Sequence, residues 1–325
     1  MYFLDLKKQY KLIKKDIDTA TKRVLNSGNF VGGGEVEKLE KEIAKFCGVK
    51  YAIGVNSGTD ALFLSLKALG IGAGDEVITT PFTFIATAEV IANLGAKPVF
   101  VDIDPATFNI DPQKIEEYLE KKLKTRNYKL KTKPKVIIPV HLFGQMADMD
   151  EIMKIARKYK LYVIEDAAQA FGAEYGSANS PQVKKKAGLS AGALAKAGSI
   201  GDVGCFSFFP SKNLGAYGDG GMTVTNNKKI AEKIRLLRNH GSSSKDKYLN
   251  LILGTNSRLD AVQAVILRVK LKYLRKWNKR RQEIAQYYNQ GLGSVDEIII
   301  PETLPNRNHT FHQYTIKTKF RGRLQ

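Results

Sequence analysis

The stretch FSFFPSKNLGAYGDGG (206–221) is the part of this sequence on which the interpretation of fold and function depends. Its lysine, Lys212, follows an aromatic, strand-like run and a proline, and it precedes a glycine-rich segment. This pattern predicts a buried strand that ends in tight turns, so we expect the amine of Lys212 to be partly desolvated. Desolvation lowers the pKa of an ammonium group and frees the amine to attack a carbonyl carbon. Taken alone, the stretch is also typical of an ordinary surface lysine in a loop.

Short apolar runs alternate with segments of helical length along the chain. This alternation predicts crossover units, and hence an α/β domain built on a mostly parallel sheet that is covered on both faces. The runs are YAIGV (51–55), EVIT (76–79), PVFVD (98–102), VIIPV (136–140), YVIED (162–166), CFSFF (205–209) and MTVT (222–225). In such sheets ligands bind beyond the carboxyl ends of the strands, so the residues that follow each run are the candidates for a functional site.

Polar residues follow the first run, at the predicted start of a helix. Ser57, Gly58, Thr59 and Asp60 precede the apolar pattern ALFLSLKAL (61–69). Free backbone N–H groups and the helix dipole at such a position can bind a phosphate group. An ordinary helix N-cap explains the same residues, so this alternative stays open at this point.

Two further residues lie at predicted strand ends. Phe84 follows the run EVIT, and by itself it would be assigned to the core. Asp166 ends the run YVIED and is followed by the small, apolar stretch AAQAFGA (167–173). A carboxylate in such surroundings is costly without a cationic partner, so we expect Asp166 to face a cation. A helix-capping acid is the alternative.

Together these residues match the requirements of pyridoxal 5'-phosphate (PLP) at one edge of the sheet. Lys212 would form a Schiff base with the cofactor, and Asp166 would keep its pyridine nitrogen protonated so that the ring withdraws electrons. The helix start at Ser57–Asp60 would hold the phosphate, and an aromatic side chain such as Phe84 would pack on the ring. No one of these features is specific, but their combination predicts a PLP enzyme.

The motifs of this chain resemble those of the sugar aminotransferases of the DegT/DnrJ/EryC1/StrS family, from about residue 3 to residue 316. The most specific motifs are SGTDAL (57–62), PFTFIATA (81–88), EDAAQAFGA (165–173), SFFPSKNLGAYGDGG (207–221), RNHG (238–241) and NSRLDAVQAVIL (256–267). The resemblance implies the fold type I aminotransferase architecture, with a large domain around a mostly parallel sheet and a small C-terminal domain. It also implies a homodimer with active sites at the interface.

The resemblance assigns roles to individual residues. Lys212 would bind PLP covalently and move the proton, Asp166 would pair with the pyridine nitrogen, Gln169 would lie beside the phenolic oxygen, and Phe84 would stack on the ring. The phosphate would be held by Ser57, Gly58, Thr59, Asp60 (through its backbone) and Ser207, while Asn256 would reach the phosphate in the partner subunit. The candidate substrate-binding residues are Phe30, Tyr217, Arg238, Arg258 and His309.

Members of this family usually move an amino group from L-glutamate to a keto carbon of a nucleotide-linked sugar. We therefore expect a PLP-dependent transaminase for a 3- or 4-keto nucleotide sugar, in the biosynthesis of cell-surface polysaccharides or deoxyaminosugars. Some relatives carry histidine in place of the lysine and dehydrate sugars, and Lys212 argues against that reaction. Two other hypotheses are a PLP-binding homologue with a regulatory role and a basic nucleic-acid-binding protein.

The composition limits the class of protein and its partners. The 325 residues include 52 basic and 32 acidic side chains, and the net charge of +20 suits phosphorylated substrates. Few aromatic residues interleave with the basic runs, which argues against nucleic-acid binding. Two cysteines are too few for a disulfide framework or a zinc site, so we expect a cytoplasmic protein without a metal. The apolar window 80–101 is interrupted by prolines and charged residues, which argues against a membrane span.

We expect a large PLP-binding domain over residues 1–250 that begins with a helical segment. Residues 251–325 would contain one long helix over 258–290 and the start of a small C-terminal domain, because family members continue well beyond the stretch HTFHQY (309–314). Two segments predict exposed loops: the basic run 121–135 and the Ala, Gly, Ser and Lys-rich stretch 176–198, which is longer than the turn usual in the family.

Overall fold

The computed structural model describes residues 4–124, 133–176, 194–243, 246 and 248–324. Seven strands of this part of the chain form one sheet, and three very short strands form a second sheet. In chain order the strands are β1 (Tyr51–Val55), β2 (Asp75–Thr79), β3 (Lys97–Phe100), β4 (Lys133–Ile137), β5 (Tyr162–Asp166), β6 (Glu174–Tyr175), β7 (Ala195–Lys196), β8 (Val203–Ser207), β9 (Gly221–Thr225) and β10 (Arg307–Asn308). Each of the seven predicted runs overlaps one strand of the larger sheet.

The larger sheet has the strand order β1-β9-β8-β5-β4-β2-β3. Strands β8, β5, β4, β2 and β3 pair in parallel, whereas β9 pairs antiparallel with both β8 and β1. The predicted mostly parallel α/β fold is therefore confirmed. Because β9 runs in reverse, its first residue, Gly221, lies opposite the last residues of its neighbours, Val55 and Ser207. This register brings the ends of β1 and β8 together.

Helices connect the strands and flank the sheet. They are α1 (Leu6–Ser27), α2 (Gly33–Cys47), α3 (Gly58–Ala68), α4 (Ala86–Asn93), α5 (Pro112–Lys124), α6 (Met149–Tyr159), α7 (Lys228–Leu237), α8 (Ala261–Leu271), α9 (Leu274–Leu292) and α10 (Arg321–Leu324). In α2 the apolar residues Val36, Leu39 and Ile43 recur at helical spacing and are buried, as their spacing predicts. The helix ends where Gly48 takes the left-handed conformation, with φ of 71°.

The two faces of the sheet carry separate apolar cores. Residues of α2, α5 and α6, including Leu39, Ile115 and Ile152, belong to one core, and residues of α3, α4 and α7, including Leu64 and Ile91, belong to the other. A third cluster joins α1 to α8. Burial on both faces explains why the strand sequences read as continuous apolar runs instead of alternating patterns.

The predicted long helix over 258–290 is wrong, because the structure has two helices, α8 and α9, separated by Lys272 and Tyr273. The N–H groups of these two residues bond to carbonyls three positions back, on Val269 and Lys270, which tightens the turn and changes the direction of the chain. The Tyr273 hydroxyl also donates to Asp16 of α1, at 2.9 Å.

The two predicted loops fall partly outside the described residues, which do not include 125–132 and 177–193. The described parts of these segments belong to helices and strands: residues 121–124 end α5, 133–135 begin β4, and Ala195–Lys196 is strand β7. The domain boundary near residue 250 stays a prediction. In the structure α8 packs against α1 and α2, and β10 pairs with β6. Among the described helices, none is long and apolar enough to cross a membrane.

Candidate active site

The start of α3 forms the base of a cleft at the carboxyl edge of the sheet. Ser57 is the N-cap residue, and its side chain accepts a hydrogen bond from the Asp60 N–H at 3.0 Å. Gly58 lies against Ser207, since a Cβ atom at Gly58 would come within 2.6 Å of the Ser207 Cβ. The Asp60 carboxylate accepts a bond from the Ser257 hydroxyl. The first N–H groups of α3, with the positive end of the helix dipole, can therefore hold a phosphate group beside the Ser207 hydroxyl.

Two adjacent carboxylates end β5, and their surroundings differ. Glu165 is fully buried and accepts bonds from the backbone N–H groups of Gly198, Ile200 and Gly201, at 2.5–2.8 Å. The His141 Nε2 atom also lies 2.8 Å from this carboxylate, and His141 Nδ1 accepts a bond from a backbone N–H, so Nε2 is the donor. Glu165 thus has four donors and a structural role.

Asp166 lines the cleft and keeps unused acceptor capacity. Its Oδ2 accepts a bond from the Thr87 hydroxyl at 2.9 Å, and its Oδ1 accepts one from the Ala168 N–H at 3.2 Å. Burial raises the pKa of this carboxyl group, while these bonds and the charge of Lys212 act in the opposite direction. A carboxylate can accept about four bonds, so Asp166 can also accept the N–H of a bound ring.

Lys212 lies in the loop between β8 and β9, as predicted, and its amine lines the same cleft. Burial lowers the pKa of this amine, and the charge of Asp166 partly opposes the shift. The two groups therefore interact across the cleft. Within the residues that the structure describes, no acceptor is hydrogen-bonded to the Lys212 amine, so a ligand can reach it.

Gln169 and Phe84 are two further candidate cofactor residues in the described structure. The Gln169 Oε1 atom accepts a bond from the Phe143 N–H at 2.7 Å, which fixes the orientation of its amide group. Phe84 is 70% exposed, which is unusual for a phenylalanine. Both side chains line the cleft, where an exposed ring offers a flat surface for a planar ligand.

The cleft has a volume of about 500 Å³, which suits a cofactor and part of a substrate. All of the predicted cofactor residues except Asp60 and Asn256 line it. The Asp60 N–H is bonded to the Ser57 side chain, and the contact of its backbone with a phosphate stays a prediction. Asn256 is exposed, and its backbone pairs with that of Asn239 outside the cleft. Its role toward a partner subunit stays a prediction.

The candidate substrate-binding residues lie outside the cleft. Arg238 and Arg258 line a second cavity of about 610 Å³, here called the arginine pocket, together with Arg235, Asn239 and Ser242. Arg238 donates to Glu40 at 2.5 Å and to the Gly54 carbonyl at 2.7 Å, and Arg258 donates to Asn239 at 2.9 Å. These bonds already use part of the hydrogen-bonding capacity of both side chains.

The other three candidates are also separated from Lys212. Phe30 is half exposed in the loop before α2, and Tyr217 packs between α1 and α8. His309 is buried and stacks on Phe311, with ring centroids 3.9 Å apart. Their roles toward a substrate stay predictions, because the chain by itself does not bring them to the cleft.

Several residues that line the cleft were not predicted from the sequence, and Thr87 and His312 are two of them. Thr87 lies four residues after Thr83 on the segment that enters α4, and helical spacing of the two threonines was the available signal. His312 lines the cleft, whereas His309, three residues earlier, does not. Burial, with smaller contributions from the charges of Lys212 and Arg281, lowers the pKa of His312 to about 3, so its ring is neutral at neutral pH. The choice between these histidines depends on a turn at Phe311, where φ is 43°.

The donor set of the cleft fits PLP. A desolvated amine, an acid with spare acceptor capacity and a helix N-terminus line one cleft, and they are the groups that would bind the cofactor's carbonyl, ring nitrogen and phosphate. A lysine and a carboxylate that face each other at the carboxyl edge of such a sheet are typical of the fold type I class of PLP enzymes.

The model of the DegT/DnrJ/EryC1/StrS aminotransferase family matches residues 11–324. The chain therefore belongs to this family. It is 47% identical to a pleiotropic regulatory protein of Geobacillus stearothermophilus, over 99% of this chain and 79% of that one. It is 44% identical to the UDP-2-acetamido-2-deoxy-3-oxo-D-glucuronate aminotransferase of Pseudomonas aeruginosa, over 99% and 81% of the two chains.

Solved structures support the same conclusion. The chain superposes on DesV of Streptomyces venezuelae, solved in complex with a ketimine intermediate, with a TM-score of 0.87 and 40% sequence identity. The match covers 99% of this chain and 79% of DesV. The predictions of the family, of the fold, of a transaminase and of PLP as the cofactor are thereby confirmed. The roles of individual residues stay predictions.

Proposed function

We propose that this protein transfers an amino group from L-glutamate to a 3- or 4-keto nucleotide-linked sugar, as a cytoplasmic homodimer. The observation that carries the proposal is the interaction of Lys212 with Asp166 across a cleft that also contains the N-terminus of α3. Named relatives act on nucleotide sugars, and the P. aeruginosa relative carries a 3-oxo sugar in its name. A 3-keto substrate is therefore the first to test.

The role proposed for each residue follows from its position in the cleft. Ser57, Thr59 and Ser207 would hold the phosphate, and Asp166 would hold the ring nitrogen. PLP, when bound, withdraws electrons from the carbon atom that loses a proton. Lys212 would carry that proton, since burial lowers the pKa of its amine and thereby favours the neutral form that acts as a base.

Binding of the two substrates has to be sequential, because both need the same space beside Lys212. The amino donor would bind first and depart as its keto acid. The keto sugar would then take the amino group, which would stay on the bound cofactor between the two steps. The net charge of +20 would attract a pyrophosphate-bearing sugar, and this attraction should weaken as salt is added. Arg238 and Arg258 would hold the pyrophosphate if the arginine pocket of one subunit faces the cleft of the other.

The decisive experiment follows the two half-reactions separately by the absorbance of the PLP-loaded protein. We expect L-glutamate to change the spectrum and a 3-keto UDP- or dTDP-sugar to restore it. If a simple 2-keto acid restores the spectrum and no nucleotide keto sugar does, the protein is an amino-acid transaminase and the sugar assignment is wrong.

A second candidate function is regulation, because the relative that is 47% identical is named a pleiotropic regulatory protein. A regulatory homologue would bind PLP at Lys212 but would not respond to glutamate. The first half-reaction therefore separates the two: a glutamate-dependent spectral change supports the enzyme, and its absence with every amino donor tested would favour regulation.

A further inference from the structure

The loop that carries Lys212, residues 208–220, is folded tightly on itself. Here it is called the lysine loop. The Lys212 N–H bonds to the Phe209 carbonyl at 2.8 Å, and the Ala216 N–H bonds to the Phe208 carbonyl at 2.7 Å. A Cβ atom at Gly215 would lie 2.3 Å from the Pro210 carbonyl oxygen. The position of the Lys212 side chain therefore depends on how this compact loop is held from outside.

A second lysine, Lys270 of α8, lies behind the lysine loop. It is only 1% exposed, its Nζ atom donates to the Gly215 carbonyl, and it lies 4.8 Å from the centre of the Tyr217 ring. Over the described ranges of the chain, no carboxylate forms an ion pair with this amine. Burying an amine costs free energy, whereas methionine would fill similar space without that cost. Packing alone therefore does not explain an amine at this position.

Two neighbouring side chains contact the same loop from the same side. Gln263, two helical turns before Lys270, accepts a bond from the Tyr217 N–H at 2.9 Å through its Oε1 atom. Asn278 of α9 accepts a bond from the Asn213 amide at 3.0 Å. These contacts hold the loop at residues 213 and 217, and Lys270 holds the carbonyl between them.

We propose that Lys270 is a positioning residue for Lys212: its bond to the Gly215 carbonyl holds the lysine loop so that the Lys212 amine faces Asp166. Lys270 contacts neither cleft nor substrate and acts through the backbone of the loop. The part of this inference that concerns turnover rests on the proposed function. The reactivity of the Lys212 amine is measured separately, in the protein without cofactor.

The test compares the wild type with Lys270→Met, which keeps the length and the apolar part of the side chain but lacks the donor. Lys272→Met is the matched control, since Lys272 is exposed at the end of the same helix. In the cofactor-free protein, each lysine is labelled briefly with acetic anhydride over a range of pH and quantified by mass spectrometry. We expect labelling of Lys212 near neutral pH to change by severalfold in Lys270→Met, with a shifted pH midpoint, and to stay as in the wild type in Lys272→Met.

With PLP and glutamate, we expect kcat of Lys270→Met to fall by about ten- to a hundredfold, with KM changed less than about threefold. Lys270→Arg, which keeps a donor, should recover part of kcat if it folds. Unchanged labelling of Lys212 together with unchanged kcat in Lys270→Met would overturn the proposal. If Lys270→Met does not fold, Lys270→Leu, which also lacks a donor, is judged by the same two readouts. If the wild type fails to aminate any nucleotide sugar, the proposed function fails, while the labelling result still decides the role of Lys270.

Discussion

The cleft and the arginine pocket are built differently, although both were expected to serve one active site. The cleft brings together residues from α3, α4, β5 and β8 within one chain, and the charges of its central groups, Lys212 and Asp166, shift each other's pKa. In the arginine pocket, Arg238 and Arg258 are bonded to residues of their own surroundings and lie apart from Lys212. We therefore propose that one chain contains the cofactor half of the site and that the substrate half needs residues from a second source.

This difference between the cleft and the arginine pocket concerns which residues one chain brings together by its own fold. Residues at the carboxyl ends of neighbouring strands are brought together by the sheet itself. Phe30 and Asn256 lie in connecting segments outside the cleft, and we propose that they complete a site only where another surface meets them. Variants of both regions can test whether the cleft and the arginine pocket differ in this way.

The cleft should lose nearly all activity on replacement of its lysine. We expect Lys212→Ala to lower the rate of the glutamate half-reaction by about 10⁴-fold or more, because the proton carrier and the covalent attachment are both lost. Stopped-flow absorbance measures the rate. Lys228→Ala, at an exposed site on α7, should behave like the wild type. A Lys212→Ala protein with more than a hundredth of the wild-type rate would show that another group moves the proton.

Mixed dimers test whether the second source is a partner subunit. Lys212→Ala and Asn256→Ala should each be inactive, but equal mixtures should regain about a quarter of the wild-type activity, since half of the dimers then contain one intact site. Subunit exchange is confirmed with two different affinity tags. If exchanged dimers remain inactive, Asn256 acts within its own chain or has no role, and the comparison drawn above fails.

Substitution of the two carboxylates at the end of β5 should have different effects, one mainly on the reaction rate and the other mainly on stability. Asp166→Asn should fold normally and lose about 10²- to 10³-fold in rate, because the ring nitrogen loses its acidic partner. Glu165→Gln should lower the free energy of unfolding by about 2–4 kcal/mol, because one amide group cannot satisfy the four donors around it. Denaturant titration and rate measurements on both variants provide the comparison. An equal loss of stability in the two variants would contradict the assignment of Asp166 to the site and of Glu165 to its structural support.

The smallest expected effect concerns the charge state of Lys270, which supports the cleft from behind the lysine loop. Burial lowers the pKa of its amine to about 8. Its neighbours are the Gly215 carbonyl and the Tyr217 ring, and burial is the one cause of the shift. The unfolded chain therefore binds the proton more tightly, so the free energy of unfolding attributable to Lys270 rises with pH between about 8 and 10.5.

Between pH 8 and pH 9.5 we expect the wild type to gain about 2 kcal/mol relative to Lys270→Met, measured by urea unfolding. The control is Lys272→Met, whose difference from the wild type should not depend on pH. A parallel pH dependence of the wild type and Lys270→Met would mean that Lys270 stays charged through this range.

Residues at strand ends could be predicted from the sequence because apolar runs locate the strands and the sheet then determines where their ends meet. Ser57, Asp166 and Lys212 are examples. The spacing of Thr83 and Thr87 marks a helical face but does not identify Asp166 as the partner of Thr87, because that contact depends on how α4 packs on the sheet. The turn at Phe311 decided between His309 and His312, and no sequence pattern marks it. The break between α8 and α9 arises from local hydrogen bonding at Lys272 and Tyr273, which helical periodicity does not reveal.

Gly221 begins the reversed strand β9 between the ends of β1 and β8, and it bears on how the enzyme can be redesigned. A Cβ atom there would lie 2.2 Å from the Ser57 carbonyl oxygen, so any side chain would force the helix start and the neighbouring strand apart. Directed evolution toward new substrates should therefore keep Gly221 unchanged and vary Gln313, which lines the cleft, and the residues of the arginine pocket. Libraries that randomise Gly221 would mainly yield proteins that no longer retain cofactor during purification.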